Sequence, residues 1–371
     1  MRMSGLANDF QKGKNINFES NDPASRQKIS PQKGVSRRFR ASRTAERPEY
    51  EKQSVEMKRI GNLYEKIISL DNLRLADEKA RRGKLRSYGV LLHDKNREAN
   101  ILALHETLKN RTFKNSEYST FTIYEPKERI IFRLPYYPDR ILHHAIMNIL
   151  EPIWVSVFTK DTYSCIKGRG IHGAMRNVKR AIKDRENARY CLKIDIRKFY
   201  PSIDHDVLKA IIRRKIKCKD TLALLDTIID STDGVPIGNY LSQYFANLML
   251  AYFDHWIKEE KRVRYYFRYA DDMVFLASTK EELHILLADI KKYLAALKLT
   301  LKGNEQIFPI AENRADKHGR GLDFVGFVFY HNQTLMRKSI KQNFCRMAAR
   351  LNKKLNISAR DYKQRLCSWY G

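Results

Sequence analysis

Two apolar, aromatic-rich runs flank a polar break in Tyr265-Tyr-Phe-Arg-Tyr-Ala-Asp-Asp-Met-Val-Phe-Leu-Ala277. Runs of this length and composition predict two strands, and the break at Ala270-Asp271-Asp272 predicts a hairpin turn. Adjacent carboxylates at the tip of a buried hairpin repel one another and lose water, so the arrangement needs compensation. Hard divalent cations with oxygen ligands supply it, and a pair of them supports in-line phosphoryl transfer. A solvated Asp-Asp turn is the plainer outcome, and the rest of the chain decides between the two.

The formal net charge is +29 over 371 residues, spread along most of the sequence. Like charges at that density favour a polyanionic partner. The 20 Tyr and 17 Phe suit base stacking as well as an ordinary core. Cys165, Cys191, Cys218, Cys345 and Cys367 make no Cys-x-x-Cys pair. They are expected to be reduced, mostly buried thiols of a cytoplasmic protein. The first residues lack the apolar core of a signal peptide, and no run reaches the length of a membrane span.

Residues 1–50 form a polar, basic segment with Ser36-Arg-Arg-Phe-Arg-Ala-Ser-Arg43, expected not to fold alone. It suits either a nucleic-acid clamp or a dispensable extension. Helical spacing follows from Val55 to Ala80 (Met57, Ile60, Leu63, Tyr64, Ile67, Ile68). It returns from Asn96 to Lys109, with Ile101, Leu102, Leu104 and Leu108 inward. Phe121 to Pro135 reads as a hairpin whose Arg129 and Arg133 share one face, placed either to grip a triphosphate or to lie solvated at an edge. Arg140 to Phe158 is an apolar helix whose His143 and His144 read as packing residues. The loop Tyr163-Ser-Cys-Ile-Lys-Gly-Arg-Gly-Ile-His172 lets backbone approach a phosphate and opens a basic helix over 173–184.

A buried-strand pattern, Arg189 to Ile196, ends in Asp195, and Phe199-Tyr-Pro-Ser-Ile-Asp204 follows. An apolar-period helix is predicted from Val207 to Ile216. Gly234 to Leu250 is a glycine-bearing turn feeding a helix with Leu241, Phe245, Leu248 and Tyr252 inward. Beyond the carboxylate hairpin, Thr279-Lys-Glu-Glu282 predicts a capping box for a helix with Leu283, Leu286, Ile290, Leu294 and Leu297 on one side. Asp323 to Tyr330 predicts a strand pair around Gly326. The last helix carries Ile340, Phe344, Met347, Leu351 and Leu355 as a stripe, with Lys341, Arg346, Arg350, Lys353 and Lys354 elsewhere on it.

A strand ending in Asp195, a Gly-x-x-x-Ser-Gln turn and helix, the Tyr269-Ala-Asp-Asp272 hairpin and a Phe-Val-Gly-Phe strand stand in fixed order. This order resembles the reverse transcriptases from about Arg59 to Tyr370. Asp161-Thr-Tyr-Ser-Cys-Ile-Lys-Gly-Arg-Gly170 and Pro236-Ile-Gly-Asn-Tyr-Leu-Ser-Gln243 look most like the enzymes of diversity-generating retroelements. Group II intron enzymes usually have Gln where Ile237 stands and Pro where Gln243 stands. No maturase-like region, HNH nuclease or RNase H motif is seen.

The resemblance implies an α+β right hand. Its expected divisions are fingers (51–188), a palm of antiparallel sheet and helices (189–335, with a finger-side insertion at 205–235) and a short helical thumb (336–371). Relatives commonly continue beyond this C-terminus, so an incomplete thumb is implied. Asp195 and Asp271, with the Ile196 carbonyl, would hold two Mg2+ ions (Mn2+ in their place), and Asp272 would lie near the primer end. Tyr200 matches the wall that excludes a ribose 2′-hydroxyl. Arg129 and Lys127 match the finger cations, and Ile237, Gly238 and Gln243 the turn at the nascent pair. Phe324, Val325, Gly326 and Phe327 match the primer grip. Lys167, Arg169, Lys341, Arg346, Arg350 and Lys353 would contact nucleic-acid backbone. The lysine that relatives carry after the palm helix aligns with Gln306, with Lys302 as a substitute. Partners implied are an RNA template, a DNA or RNA primer, dNTPs and a small accessory protein of the retroelement, with no membrane. The rivals are a stand-alone defence or group II intron-like reverse transcriptase, a non-catalytic RNA-binding protein and a viral RNA replicase.

Overall fold

The computed structural model describes residues 58–124, 128–353 and 357–367. The basic N-terminal segment, Met57, Lys127, Lys354 and Leu355 therefore lie outside the described residues.

The first predicted helix is two helices, α1 (Tyr64–Ile68) and α2 (Leu70–Ala80). Ser69 separates them with extended backbone, and its hydroxyl accepts from the Asn72 N–H as an N-cap. Ile60 lies before them in a parallel bridge to Ile216. A short helix that the spacing did not predict, α3 (Tyr88–Asp94), precedes α4 (Arg97–Lys109). On α4 Ile101, Leu104 and Leu108 are buried as expected, but Leu102 faces solvent. The hairpin follows as β1 (Ser119–Ile123) and β2 (Arg129–Arg133), antiparallel with Thr122 opposite Ile130. Next come α5 (Ile141–Val155) and α6 (Ile171–Ala181), the latter starting two residues earlier than expected.

The central sheet opens with β3 (Tyr190–Asp195). Two helices, α7 (His205–Lys215) and the unpredicted α8 (Lys219–Ile229), then follow. After α9 (Tyr240–Met249) and α10 (Ala251–His255), the chain returns as β4 (Tyr265–Tyr269) and β5 (Asp272–Ala277). Thr279 caps α11 (Lys280–Ala296) by accepting from the Glu282 N–H. The Glu282 carboxylate takes the Ser278 hydroxyl (3.0 Å) instead of completing a box. β6 (Gln306–Pro309) closes an antiparallel sheet of order β4-β5-β3-β6. A second sheet holds β7 (Leu322–Phe324), β8 (Phe327–Phe329) and the unpredicted β9 (Thr334–Met336), before α12 (Lys338–Asn352) and α13 (Ala359–Cys367). The α+β class is the expected one.

Period two gives the central sheet two buried faces. Leu192, Ile194, Tyr266, Met273 and Phe275 join the main core with the buried side of α9, α10 and α11. Cys191, Phe267, Val274 and Leu276 join a second core with Ala174 and Val178 of α6 and Phe324 and Phe329. The thiols depart from expectation: Cys191 is buried and Cys218 half-buried, but Cys165, Cys345 and Cys367 are exposed, and none is paired. No helix among the described residues is long and apolar enough to cross a membrane.

Candidate active site

Strand register brings the carboxylates together. Asp195, the last residue of β3, pairs with Asp272, the first of β5, and Asp272 pairs with Tyr269 across the β4–β5 turn. Asp195, Asp272 and Tyr269 therefore stand abreast at one end of the sheet, on the face of the second core. Ala270 makes the turn with a φ of 55°, a left-handed conformation that costs an alanine free energy, and Asp271 follows it.

Burial dominates the electrostatics. The Asp271 carboxyl is pushed up to about 6, first by burial and then by the neighbouring Asp195 carboxylate. Asp272 is also pushed up to about 6 by burial, with Lys193 pulling it down and Asp195 pushing it up. Lys193 Nζ sits 3.5 Å from Asp272 Oδ2, while Asp272 Oδ1 is buried without a hydrogen-bond partner. Lys302 Nζ donates to Asp195 Oδ2 (3.2 Å), and its N–H donates to the Asp195 carbonyl (2.9 Å). Of Lys302 and Gln306, Lys302 is thus the one that contacts a site carboxylate, alongside Lys193. Gln306 accepts from Arg320 (2.6 Å) and is exposed.

These residues fit hard cations. The donors are anionic oxygens, one is an orphaned buried oxygen, and the mutual repulsion is what a divalent ion would relieve. Among the described residues no three His, Cys, Asp or Glu side chains close into a cage. Magnesium suits such a set, because it is usually held by one or two carboxylates together with substrate phosphate and water. Ile196 lies between two backbone bonds of its neighbours, Lys302 N–H to Asp195 and Arg197 N–H to Thr300.

Tyr200 is half-buried, packed edge-to-face on buried Phe199 with ring centroids 5.7 Å apart. Burial raises its hydroxyl pKa, with Cys165 and Asp271 adding to the rise and Arg129 opposing it. Tyr200 thus lies within electrostatic reach of both Asp271 and Arg129. Arg129 and Arg133 are exposed. The hairpin is fastened at its base: Phe132 N–H donates to the Ile237 carbonyl (2.8 Å). Gly238, at a φ of 123°, sits so close that an added Cβ would lie 2.4 Å from the Phe132 carbonyl oxygen. Only glycine meets both demands.

The Phe324–Phe327 turn connects to the carboxylates through Lys193, which donates to the Asp323 carbonyl (2.6 Å). Val325 and Gly326 make this turn with φ of 44° and 88°. Arg337 N–H donates to the Gly326 carbonyl (2.9 Å), joining α12 to it. On α12, Lys341, Arg346 and Arg350 are exposed, as is Lys353 just beyond its end, while Ile340, Phe344 and Met347 are half-buried and Leu351 is buried. Lys167 is exposed, but Arg169 is half-buried and donates to the Thr159 carbonyl (2.6 Å), so part of its capacity serves the fold. His143 and His144 are packing residues as expected, driven down to about 3 and about 4, mainly by burial.

The sequence reading missed a cavity of about 1160 Å³ beside the hairpin base, lined by Lys84, Arg133, Arg140, His143 and the exposed Gln243. Burial, then Arg140 and Arg133, holds the Lys84 ammonium below its ordinary pKa. Cations so crowded favour an anion. Its lining comes from four separate segments, so no local pattern announces it.

Residues 124–304 match the family described as reverse transcriptase (RNA-dependent DNA polymerase). The chain carries a reverse transcriptase domain. It is the domain of RNA-directed DNA polymerases, which are nucleotidyltransferases working with divalent metal ions, and it includes the three carboxylates. Protein YkfC of Escherichia coli is 24% identical over 266 residues, covering 58% of this chain and 67% of that protein. The group II intron-encoded protein LtrA of Lactococcus lactis is 27% identical over 139 residues, 34% of this chain and 23% of its own length. Among solved structures, apo telomerase from Candida tropicalis, truncated from its C-terminal domain, aligns with a TM-score of 0.45 at 13% identity, over 64% of this chain and 59% of that one. The chain thus spans about two thirds of the first of these proteins and under a quarter of the second.

Proposed function

We propose that this chain copies an RNA template into cDNA, extending a DNA or RNA primer with dNTPs. The observation that carries the reading is the carboxylate set: Asp195 abreast of Asp272 with Asp271 on the adjoining turn, inside the matched segment. Asp195, Asp271 and the Ile196 carbonyl would hold two Mg2+ ions, with Mn2+ able to replace them, and Asp272 would face the primer end. Bound there, such ions would supply Lewis acidity that lowers the pKa of a primer 3′-hydroxyl and neutralises charge on a departing pyrophosphate. Tyr200 would exclude a 2′-hydroxyl, and Arg129, with Lys127, would hold the triphosphate. Lys302 would balance the charge of Asp195. Val325 and Gly326 would seat the primer, and the cations of α12, with Lys167, would follow the duplex backbone. Template RNA would pass the basic cavity at Lys84, Arg133 and Arg140. Fingers at 51–188, palm at 189–335 and thumb from 336 are the divisions that go with these roles.

For the biological setting we infer an error-prone enzyme of a diversity-generating retroelement, working in the cytoplasm with a small accessory protein. The support is Ile237, which gives apolar contact where a Gln could hydrogen-bond the incoming nucleotide. One such bond is worth about 0.5–1.5 kcal/mol, roughly a few-fold to tenfold in discrimination. The turn is held through the backbone carbonyl of Ile237, so Ile237→Gln can be made without unfastening it. The group II intron-encoded relative favours the second reading, an intron-like enzyme of ordinary fidelity. Copying a defined RNA with the parent and with Ile237→Gln, then sequencing the cDNA, separates them. The retroelement reading expects frequent errors opposite adenine in the parent and fewer in the variant. Equal, low error rates in both support the intron-like reading.

A further inference from the structure

Arg268 is fully buried, one residue before the Tyr269-Ala-Asp-Asp272 turn. Its counter-ion is Asp254 of α10, also fully buried, which accepts from Arg268 Nε (2.8 and 3.0 Å) and Nη2 (2.5 Å). Asp254 is further held by the Tyr266 hydroxyl (2.6 Å) and the Thr162 hydroxyl (2.7 Å). That much would be a self-sufficient internal ion pair. The guanidinium reaches further, however: Nη1 donates to the Ala270 carbonyl (3.2 Å) and to Asn247 Oδ1 (3.2 Å). Ala270 is the residue forced to a φ of 55°. Asn247 in turn donates to the Ser164 carbonyl (2.8 Å). The backbone of Arg268 bonds the same loop, its N–H to the Asp161 carbonyl (2.9 Å) and its carbonyl to the Tyr163 N–H (3.0 Å).

We propose that Arg268 is a positioning residue for the metal site: its Nη1 on the Ala270 carbonyl holds that residue left-handed and thereby aims the Asp271 carboxylate at Asp195. The ion pair with Asp254 supplies the rigid anchor, and the bond to Ala270 carries its rigidity to the turn. A left-handed alanine relaxes unless its surroundings hold it, and Nη1 is a donor placed to do so. The inference rests on the carboxylates binding divalent cations, and it does not require that the chain make DNA.

The test uses the full chain with template–primer and Mn2+ as the probe, with binding followed by the electron paramagnetic resonance of free Mn2+. In Arg268→Lys an ammonium can stay with Asp254 but cannot also span to Ala270. Mn2+ affinity should fall about tenfold, the size expected for one charge-assisted hydrogen bond. The Mg2+ concentration for half-maximal extension should rise to match, with template–primer affinity unchanged. Adding Ala270→Gly should restore most of the loss, because glycine takes positive φ without cost. A purely structural role would not produce that rescue. As a second variant, Arg268→Leu with Asp254→Leu leaves no unpaired buried charge, and it should fold and still bind Mn2+ weakly. Parent-like Mn2+ affinity in either variant would overturn the proposal, as would failure of both to fold, since Arg268 would then serve the fold at large. A parent that binds Mn2+ but makes no DNA would count against the polymerase reading alone.

Discussion

The carboxylate end of the central sheet and the β1–β2 hairpin are both antiparallel two-strand turns, yet they are built in opposite ways. Behind Asp271 and Asp272, strands β4 and β5 are buried on both faces, and the turn is anchored through Arg268 to α10 and to the loop at 161–164. The β1–β2 hairpin has exposed residues on both faces, among them Phe121, Ile130, Arg129 and Arg133, and it is fastened at its base to the Ile237–Gly238 turn. One places charged groups against the cost of burial, as reacting atoms require. The other leaves its cations in water, where they can meet a charged substrate at little desolvation cost.

The largest expected effect lies on the buried side. Asp195→Asn should lower primer extension by about a thousandfold or more, since on the proposed reading it removes a metal ligand outright, with RNA binding retained. A loss of less than tenfold would take Asp195 out of the set.

The second prediction concerns what the buried pair costs without metal. Asp271 and Asp272 have folded-state pKa values raised to about 6, above the unfolded value. The folded chain therefore holds more protons between the two values, and the metal-free protein should lose stability as pH rises from about 4 to about 6. By the same sign, Asp271→Asn in EDTA at pH 7 should gain on the order of 1–3 kcal/mol. Melting curves at both pH values check this, and an unchanged or lower melting point would show that the carboxylates carry no burial penalty.

On the exposed side, smaller effects are expected. Arg129→Ala should raise the KM for dNTPs about tenfold, with kcat nearly kept, as for one lost charge-assisted contact. A large fall in kcat would mean that the hairpin shares in the chemistry. Tyr200→Ala should raise ribonucleotide incorporation several-fold relative to the parent. Unchanged selectivity would move the wall elsewhere, although not to Phe199, which is buried at 2% exposure.

What could be read from the sequence follows the same division. The carboxylate hairpin, Asp195 and α11 were legible because strand alternation and a one-sided apolar stripe are local patterns. α3 was not, because Leu91 and Leu92 are exposed and leave no stripe to find. The break at Ser69 hid inside continuous helical spacing, since a cap there costs only one residue. Arg268 looked like any strand arginine, because its partner Asp254 lies 14 residues away and its burial is a tertiary fact. Alignment put Gln306 ahead of Lys302, and the Asp195 contact reverses that order. The basic cavity is gathered from distant segments, so Arg133 and Gln243 could be named singly but not brought together.

The central claim is that the adjoining carboxylates are where the chain makes DNA on RNA. It is tested most directly by primer extension on a defined RNA template with dNTPs and Mg2+, comparing the parent with the Asp271→Ala, Asp272→Ala double variant. The expected result is template-directed DNA from the parent and none above background from the variant, with RNA binding equal in both. DNA synthesis undiminished in the double variant would contradict the account.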